Sequence, residues 1–414
     1  MKVLILSQHF WPEAFRINEL AQNLRDDGCE VTILTGQPNY PSGQVYEGYR
    51  AGGICREEFD GMPVYRVPLV PRGNGHIVSL GLNYFSFVFS AAIFGLWQLR
   101  GQKFDVIFVY GTSPILQAIS AVVLRWVKRS RLVVWVQDLW PESLQAAGFI
   151  DNQKVLGAVG LVVKWIYRRC DLLLVQSQAF VDAVRPMAGR TPVEYYPNPG
   201  EKVFQQAIPP GTVPQLQLPE GFNVVFAGNL GVVQALDSIL DAAEQLLPYP
   251  DVRFVLVGSG RRGEWLREQV EQRGLTNVLL PGRFPPEAMP PILEQASALL
   301  VTLTRSPIMS LTVPSKVQAY LAAGRPVLAA LDGEGARVVE EARAGFACPA
   351  EDADALAAAV LRLRALPAPE REAMGRAARQ FYQQNFEPTT LARKLTDRFR
   401  SLQPKRQAMT GNNA

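Results

Sequence analysis

Three turns in the second half of the chain share a design that suits a phosphate group. Each ends an apolar stretch with glycine and leads towards a helical stretch: "FAGNLGVVQ" (226–234), "VGSGRRGE" (257–264) and "LPGRFPPE" (280–287). Glycine lets backbone N–H groups approach a ligand closely, and a helix start carries free donors and partial positive charge. A single Gly-x-Gly is an ordinary tight turn, but three successive turns predict a diphosphate site, with contacts from Gly228, Asn229, Leu230, Gly231, Gly258 and Gly260.

A fourth turn, "VPSKVQAYLAAG" (313–324), adds a positive charge beside a helix start. Ser315 is the predicted N-cap and Gly324 the predicted C-terminal cap, which places Lys316 in the first helical turn. A cation there opposes the helix dipole by roughly 0.3–1 kcal/mol. An anion bound beside Lys316 would relieve this conflict, and the alternative is a lysine that points to water. Arg305, on the preceding loop, is either a second cation of the site or a solvated loop residue.

The elements that must position these groups alternate between strands and helices. Strand-like runs occur at 2–7, 30–36, 64–70, 105–111, 132–138 and 171–177, and a second series at 223–228, 252–258, 277–282, 298–303 and 325–331. Strands separated by helices indicate βαβ units and parallel sheets. We therefore predict an α/β protein of two doubly wound, Rossmann-like domains that face each other across an interdomain cleft, where a ligand binds at the carboxyl ends of the strands.

Composition sets the predicted domain boundaries. Residues 198–222 are rich in proline and glycine and predict a linker. The first domain then comprises 1–197 plus a returning helix at about 386–402, and the second comprises 223–385. Residues 403–414 are polar and lack periodicity, which predicts a disordered tail.

The totals exclude several classes of protein. A net charge of +4 over 414 residues is too small for a nucleic-acid footprint, although it suits weak attraction to an anionic surface. Four scattered cysteines, without a Cys-x-x-Cys pair, indicate thiols in a reducing compartment rather than a disulfide framework or a zinc site. The opening "MKVLILS" is typical of a first strand and not of a signal peptide.

One uncharged segment, "LGLNYFSFVFSAAIFGLWQL" (80–99), leaves three interpretations open. Its length permits a membrane span. Its polar residues and flanking strands equally permit a buried helix, or a helix whose aromatic face dips into a bilayer surface. The segment at 155–170 also mixes apolar and basic residues, and an amphipathic core helix is the favoured interpretation.

Five motifs stand out along the chain: "SQHFWPEAFRINELAQNL", "TGQPNYPSG", "VQDLWPES", "AGNLG" and "LTVPSKVQAYLAAGRPV". Together they resemble the retaining glycosyltransferases of family 4, and more narrowly the bacterial colanic-acid and O-antigen subgroup that includes N-acetyl-L-fucosamine transferases. The resemblance covers about residues 1–400. It implies the GT-B fold, with a nucleotide-sugar, UDP- or GDP-linked, bound by the second domain and an acceptor bound by the first.

The resemblance also implies a reaction that needs no metal or other cofactor. The chain has only His9 and His76, and its Asp352-Ala353-Asp354 sequence is interpreted as helix capping. The family's Glu-x7-Glu pattern would place glutamates at Leu311 and Ala319, so both are lost. Its usual cations would fall near Asn229 and Gln234, which leaves Lys316 and Arg305 as the expected cation pair. Arg283 and Phe284 lie where the family holds the base, and Ser310 and Ser315 are assigned to the donor with them.

The expected chemistry is substitution at an anomeric carbon, with a stabilised diphosphate as the leaving group. Asp138, at the end of a predicted strand, is the first candidate for a catalytic carboxylate, and Glu13 is the second; helix capping is the alternative role for Asp138. His9, Arg16, Asn18 and Trp140 are candidates for acceptor binding, and otherwise surface, capping or packing residues.

The resemblance further implies a lipid-linked, polyprenyl-type oligosaccharide acceptor for cell-surface polysaccharide. Residues 80–99 would then seat the first domain on the inner face of the cytoplasmic membrane. Three rival interpretations remain: a nucleotide-sugar epimerase on the same fold, a non-catalytic nucleotide-sugar-binding subunit, and a general peripheral membrane protein. The cleft loops of the second half offer no carboxylate or histidine pair for an epimerase, which makes that interpretation weaker, and the missing glutamates make a binding subunit plausible.

Overall fold

The computed structural model describes residues 1–146, 148, 150–205, 214 and 216–403. Within this part, the chain divides into two compact units. The first comprises Met1–Gln176, Phe180–Tyr196 and the chain from Leu391 onwards, and the second comprises Ser177–Ala179 and Pro197–Thr390. The predicted linker therefore begins inside the second unit, and its residues 206–213 and 215 lie outside the described residues, as do residues 404–414 of the predicted tail.

The first unit is an eight-stranded sheet flanked by helices. Its elements are β1 (Lys2–Leu6), α1 (Arg16–Asp26), β2 (Glu30–Gly36), β3 (Cys55–Phe59), β4 (Met62–Val67), α2 (Ile77–Gln98), β5 (Val106–Gly111), α3 (Ala118–Lys128), β6 (Arg131–Val136), α4 (Glu142–Ala146), α5 (Gln153–Tyr167), β7 (Leu172–Val175), α6 (Gln178–Ala188) and β8 (Val193–Tyr195). The strand order is β3-β4-β2-β1-β5-β6-β7-β8, and every pair is parallel except β3 with β4.

The second unit is a six-stranded, wholly parallel sheet. Its elements are β9 (Phe222–Asn229), α7 (Leu236–Gln245), β10 (Val252–Ser259), α8 (Gly263–Gln272), β11 (Val278–Gly282), α9 (Met289–Glu294), β12 (Ala298–Thr302), α10 (Pro307–Ser310), α11 (Ser315–Ala323), β13 (Val327–Ala330), α12 (Glu334–Glu341), β14 (Gly345–Cys348), α13 (Ala353–Ala365) and α14 (Ala368–Asn385). The order β11-β10-β9-β12-β13-β14 reverses direction between β9 and β12, and such a reversal is where open α/β sheets bind ligands.

Both faces of each sheet are covered by apolar packing, as is usual for parallel sheets. In the second unit, Val225 and Val255 join one core cluster while their neighbours Val224 and Phe254 join the cluster on the opposite face. A last helix, α15 (Pro388–Ser401), follows α14 and packs Leu391, Leu395 and Phe399 into the core of the first unit. The two-domain α/β class predicted from the sequence is confirmed.

Candidate active site

A cavity of about 590 Å³ opens at the carboxyl ends of β9 and β10, inside the second unit. Its lining includes seven residues predicted to bind the donor: Gly228, Asn229, Gly258, Arg283, Phe284, Ser315 and Lys316. They come from the ends of β9, β10 and β11 and from the start of α11, which are distant in sequence. The fold therefore gathers three of the predicted turns and the Ser-Lys turn around one space.

Two glycines face each other where β9 and β10 end. Gly228 and Gly258 are paired in the parallel register, with φ angles of 140° and 149° that disfavour any other residue. A Cβ atom on Gly258 would lie 1.8 Å from the backbone oxygen of Gly228, and one on Gly228 would lie 2.6 Å from Cε of Lys316. The glycines thus keep this wall of the cavity as bare backbone, which a ligand can approach closely.

Lys316 is the cation nearest to this wall. Its ammonium lies 3.7 Å from the centre of the Phe226 ring and donates to Oε1 of Gln234. No acidic side chain pairs with it in the described part of the chain. Burial lowers the pKa of Lys316 to about 7, so the charged form is held at a cost that a bound anion would offset.

Helix α11 carries Lys316, and its second half is tied to the sheet and ends at a glycine. The hydroxyl of Tyr320 accepts a hydrogen bond from the amide of Ala227 at 2.9 Å, which ties the helix to β9. Gly324 ends the helix in the left-handed conformation, as predicted, with a φ of 68°. The predicted N-cap was wrong: Pro314 occupies that position without a side-chain cap, and Ser315 is the first helical residue. Proline fixes an extended backbone at that position, and Ser315 lines the cavity.

Five predicted donor contacts do not line the cavity. Leu230 is buried in the core, and Gly231 and Gly260 pack against the loop of Asn229. These three residues therefore support the turn and do not face the cavity. The hydroxyl of Ser310 donates to Pro307 O within α10. Arg305 lies near Asp332, at 3.7 Å, and donates to the carbonyl of Ala350. The expected Lys316–Arg305 cation pair is therefore wrong, and Arg283 is the second cation in this cavity.

The sequence missed residues of the predicted linker. Residues 202–205 form a short 3₁₀ helix, and Glu201, Val203 and Phe204 line the cavity opposite the strand ends. Ala319, where the resemblance would place a glutamate, also lines this cavity. Glu201 supplies a carboxylate to the same cavity. Dense proline and glycine masked this short helix, and only the Val203–Phe204 apolar pair hinted that the segment packs.

In the first unit, buried polar side chains gather at the carboxyl ends of β1 and β2. Glu13 is 1% exposed, and its carboxylate accepts from the amides of Asn39 (2.8 Å), Tyr40 (2.7 Å) and Phe10 (3.2 Å). Its oxygens also lie 3.1 Å from Nδ1 of His9. This corrects the assignment of Glu13 as a catalytic group, because its lone pairs hold two loops and a histidine in place.

His9 is oriented by this contact and by aromatic rings. It stacks on Phe15 at 5.2 Å and lies 5.6 Å from Tyr40. Its other nitrogen, Nε2, is buried and makes no hydrogen bond within the described residues. With Nδ1 directed to Glu13, Nε2 is the atom left to meet a ligand.

Asp138 lies just beyond β6, where Oδ2 accepts from the amide of Ser113 at 2.9 Å. Burial raises the pKa of Tyr110 to about 12; the positive charge of Arg16 opposes this rise and the negative charge of Asp138 adds to it. Asp138 also helps burial raise the pKa of Tyr84, on α2. The charges of Asp138 and Arg16 thus act on Tyr110 with opposite sign, and that of Asp138 acts on Tyr84 as well.

Two predicted acceptor contacts have structural roles instead. Asn18 bridges its own loop, since it accepts from the amide of Trp11 at 3.1 Å and donates to Glu13 O at 2.7 Å. Trp140 is 4% exposed and donates to Ser113 Oγ at 2.9 Å, so its ring packs and does not stack on a sugar. Sequence reasoning missed the buried amides of Gln8, Asn39, Asn83 and Gln117, for which the only signal was an asparagine in an apolar helix.

The two sites offer complementary chemistry. The second-unit cavity presents bare strand-end backbone, a helix start and two cations, which suit a diphosphate. The first unit presents the carboxylate of Asp138, the imidazole of His9 and the phenols of Tyr84 and Tyr110, which suit hydroxyl-rich ligands. No group of three potential metal ligands from histidine, cysteine, aspartate and glutamate occurs among the residues that the structure covers. Asp352 caps α13 by accepting from the amide of Ala355, as expected.

Comparison with protein families finds two matches. Residues 14–199 match the glycosyl transferase 4-like domain, and residues 221–365 match the glycosyl transferases group 1 family. The chain is 28% identical over 341 residues to the putative colanic acid biosynthesis glycosyl transferase WcaI of Escherichia coli K12, which covers 78% of this chain and 82% of that protein. It is 26% identical to the probable glycosyltransferase WbjE of Pseudomonas aeruginosa, over 76% and 79% of the two chains.

Solved structures share the fold at low identity. Sucrose-phosphate synthase from Thermosynechococcus elongatus superposes with a TM-score of 0.68 and 19% identity, over 97% of this chain and 98% of that one. The Escherichia coli trehalose-6-phosphate enzyme OtsA, bound with UDP-2-fluoro glucose, superposes with a TM-score of 0.69 and 14% identity, over 98% of this chain and 100% of that one. Anabaena HepE in complex with UDP superposes with a TM-score of 0.65 and 17% identity, over 97% of this chain and 100% of that one. With its glycosyl transferase 4-like domain followed by a group 1 domain, the chain belongs to the glycosyltransferases of the GT-B type.

Proposed function

We propose that this glycosyltransferase moves a sugar from a nucleotide-sugar to a lipid-linked, polyprenyl-type oligosaccharide in the biosynthesis of cell-surface polysaccharide. The observation that carries the proposal is the second-unit cavity, where the ends of β9 and β10 meet Lys316. Two structural neighbours were solved in complex with UDP or a UDP-sugar, and one relative is named for colanic acid biosynthesis. These names support a UDP- or GDP-linked donor and a polysaccharide product.

The leaving diphosphate would be stabilised without a metal ion. Backbone N–H groups beyond Gly228 and Gly258, the start of α11, and the cations of Lys316 and Arg283 surround the space that it would occupy. Phe284 and Phe204 offer aromatic surface for the base, and Glu201 offers a carboxylate for the ribose hydroxyls. Glu201 would then serve the role left open at Ala319.

We assign the acceptor to the polar side chains of the first unit. Asp138 and His9 are the candidates to hold the attacking hydroxyl, and Arg16 is the candidate for a negative group of the acceptor. We propose retention of the anomeric configuration, in which the departing phosphate accepts the hydroxyl proton on the same face. The acceptor's lipid would place the enzyme on the inner face of the cytoplasmic membrane, through the exposed side of α2.

A first experiment tests donor binding. UDP-, GDP- and dTDP-sugars would be compared by thermal shift, and the matching donor should add about 2.7 kcal/mol at a concentration of about 100 times Kd. Lys316→Met should abolish this shift, whereas Arg343→Gln, an exposed change elsewhere in the second unit, should keep it. Failure of every donor to shift the wild-type protein would refute the proposal.

A second experiment tests transfer. Labelled sugar should move to a polyprenyl-diphosphate-linked glycan, and NMR of the product should show the donor's anomeric configuration. Asp138→Asn should slow turnover while the donor still binds, with Asp151→Asn as the control. Donor binding by the wild-type protein without turnover on any glycan acceptor would favour the non-catalytic binding subunit instead.

A further inference from the structure

Three neighbouring helices of the first unit expose an unusual amount of apolar surface. Fourteen of the twenty-one large apolar side chains that the described residues leave exposed lie on α2, α3 and α5. On α2 they are Ile77, Val78, Leu82, Phe85, Phe89, Ile93 and Trp97; on α3, Val123, Trp126 and Val127; on α5, Val155, Leu161, Val162 and Trp165. We call these side chains the apolar face. Soluble proteins seldom expose a continuous surface of this kind without a partner.

Helix α2 is two-sided. Leu80, Asn83, Phe87, Ala91 and Gly95 form a buried stripe at helical spacing against the sheet. The opposite stripe contains Phe89 and Ile93, which are 64% and 61% exposed. The helix is long and apolar enough to cross a membrane, but only its outward stripe is free. This excludes the wholly buried helix that the sequence left open.

Helices α3 and α5 continue this arrangement. Helix α3 contacts both α2 and α5, and the cluster on the opposite side of the sheet is built with residues of α1 and α15. The three helices therefore cover the same side of the sheet. Because each turns its other stripe inwards, their exposed stripes point away from the sheet together.

Each of the three helices ends in a tryptophan followed by basic residues. Trp97 precedes Arg100 and Lys103, Trp126 precedes Lys128 and Arg129, and Trp165 precedes Arg168 and Arg169. We call these six cations the basic rim. Arg100 lies 5.0 Å from the Trp97 ring, and Arg169 lies 4.1 Å from the Trp165 ring.

The helix ends also meet in space. Lys128 donates to the carbonyls of Leu99 and Gln102, which joins the end of α3 to that of α2. Trp126, Arg129 and Arg169 line one shallow cavity, which joins the end of α3 to that of α5. The basic rim is therefore one patch beside the apolar face.

Nothing in these helices offsets the positive charge. None of the three contains aspartate or glutamate. Nearby, Asp171 is engaged by Arg125 and Arg131 at 3.0 and 2.9 Å, and Asp105 accepts from the backbone amide of Lys2. No cation of the basic rim forms an ion pair with any residue that the structure describes.

We propose that the apolar face and the basic rim together dock on an anionic lipid bilayer, with the three tryptophans at the level of the headgroups. Tryptophan favours that level, and cations beside an apolar surface are attracted by anionic headgroups. This extends the membrane location proposed above from one helix to a three-helix surface with a lipid preference.

Two other occupants fit less well. A second copy docked through the same face would leave the basic rim without acidic partners, because none of the three helices contains aspartate or glutamate. A span by α2 would pull Asn83 out of its buried hydrogen bonds with Gln8 (2.6 Å) and the Val70 carbonyl (2.6 Å).

The test is flotation of the full chain with vesicles of phosphatidylcholine, with and without phosphatidylglycerol, and needs no nucleotide-sugar. The wild type should float with the anionic vesicles and be released by high salt. Arg100→Gln/Arg129→Gln/Arg169→Gln should weaken partitioning by about 100-fold, since each basic residue near an anionic surface contributes about fivefold. Trp97→Ser/Trp126→Ser/Trp165→Ser should also lose binding.

Matched changes in the second unit serve as controls: Arg267→Gln/Arg343→Gln/Arg376→Gln for charge and Leu247→Ser for apolar surface, and both should float like the wild type. Equal binding to neutral vesicles, resistance to alkaline extraction, or a dimer that the tryptophan variants dissociate would each overturn the proposal. Donor binding, measured separately on the same variants, should be unchanged, so failure here leaves the proposed reaction untouched.

Discussion

At the scale of single residues, Lys316 couples ligand binding to pH. Because burial lowers its pKa to about 7, the free protein loses the charge as the pH rises through that value. A bound diphosphate favours the charged form, so binding takes up a proton above pH 7. The same shift means that the unfolded chain binds more protons than the folded one between about pH 7 and pH 10, so this residue lets stability rise with pH there.

We therefore expect the affinity for the nucleotide-sugar to fall between about pH 6 and pH 8. Calorimetry with the sugar-linked donor avoids the free terminal phosphate of a nucleoside diphosphate, which titrates in the same range. Lys316→Arg should bind with little dependence on pH, because the guanidinium stays charged. A wild-type affinity that is flat across this range would contradict the assignment of Lys316 as the phosphate cation.

Glu201 gives the second prediction at this scale. If its carboxylate accepts hydrogen bonds from the ribose hydroxyls, Glu201→Gln should lower the affinity for a ribonucleoside diphosphate by roughly 10-fold. This is the loss expected for a hydrogen bond to a charged group. The 2′-deoxy analogue should bind the wild type and the variant more nearly alike. Glu287→Gln, an exposed change outside the cavity, is the control. An equal loss of affinity for both nucleotides would mean that Glu201 stabilises its own loop and does not contact the ribose.

At the scale of elements, the two stripes of α2 have separate consequences. Asn83→Leu would leave the Gln8 amide and the Val70 carbonyl without partners, and each buried unpaired group costs about 1–3 kcal/mol. Leu82→Asn changes the adjacent residue, which is 55% exposed, and should cost little stability. Thermal unfolding should show a large loss for the first and a small loss for the second, while vesicle binding should weaken only in the second. Equal stabilities would contradict the buried network.

Local patterns predicted most of the elements. Eleven strands were predicted near their observed bounds because buried parallel strands are continuous apolar runs that glycines or helical periods interrupt. Strand β3, "CREEF", was missed because it is an edge strand whose side chains alternate between partly buried and exposed. The short strands β8 and β14 have too few residues to show a pattern.

The candidate site was only partly predictable for a physical reason. Glycines at strand ends report a local backbone requirement, so Gly228 and Gly258 were found from sequence. The roles of Arg305, Glu13 and Trp140 depend on hydrogen-bond partners that are distant in sequence. These partners are Ala350, Asn39 and Ser113, respectively. Without the fold, an arginine that binds a carbonyl and one that binds a phosphate have the same sequence signature.

At the scale of the whole molecule, the C-terminal helix α15 completes the core of the first unit. Helix α15 follows the second unit directly in sequence, yet Phe399 is fully buried in the first unit and lies 5.4 Å from the Phe108 ring. The first unit therefore depends on the last described helix, and the two units should respond differently to a change there.

Phe399→Ala should destabilise the first unit by about 3–5 kcal/mol, the usual cost of removing a buried phenylalanine. The donor should still bind the second unit with an affinity close to that of the wild type, because none of the residues lining its cavity comes from α15. Calorimetric unfolding with and without donor would separate the two units, since the ligand raises only the transition of the unit that binds it. Arg400→Ala, at an exposed position one residue later, should shift neither transition by much. If Phe399→Ala abolished donor binding together with the first transition, the second unit would not be an independent binding domain, and the assignment of the donor to it alone would fail.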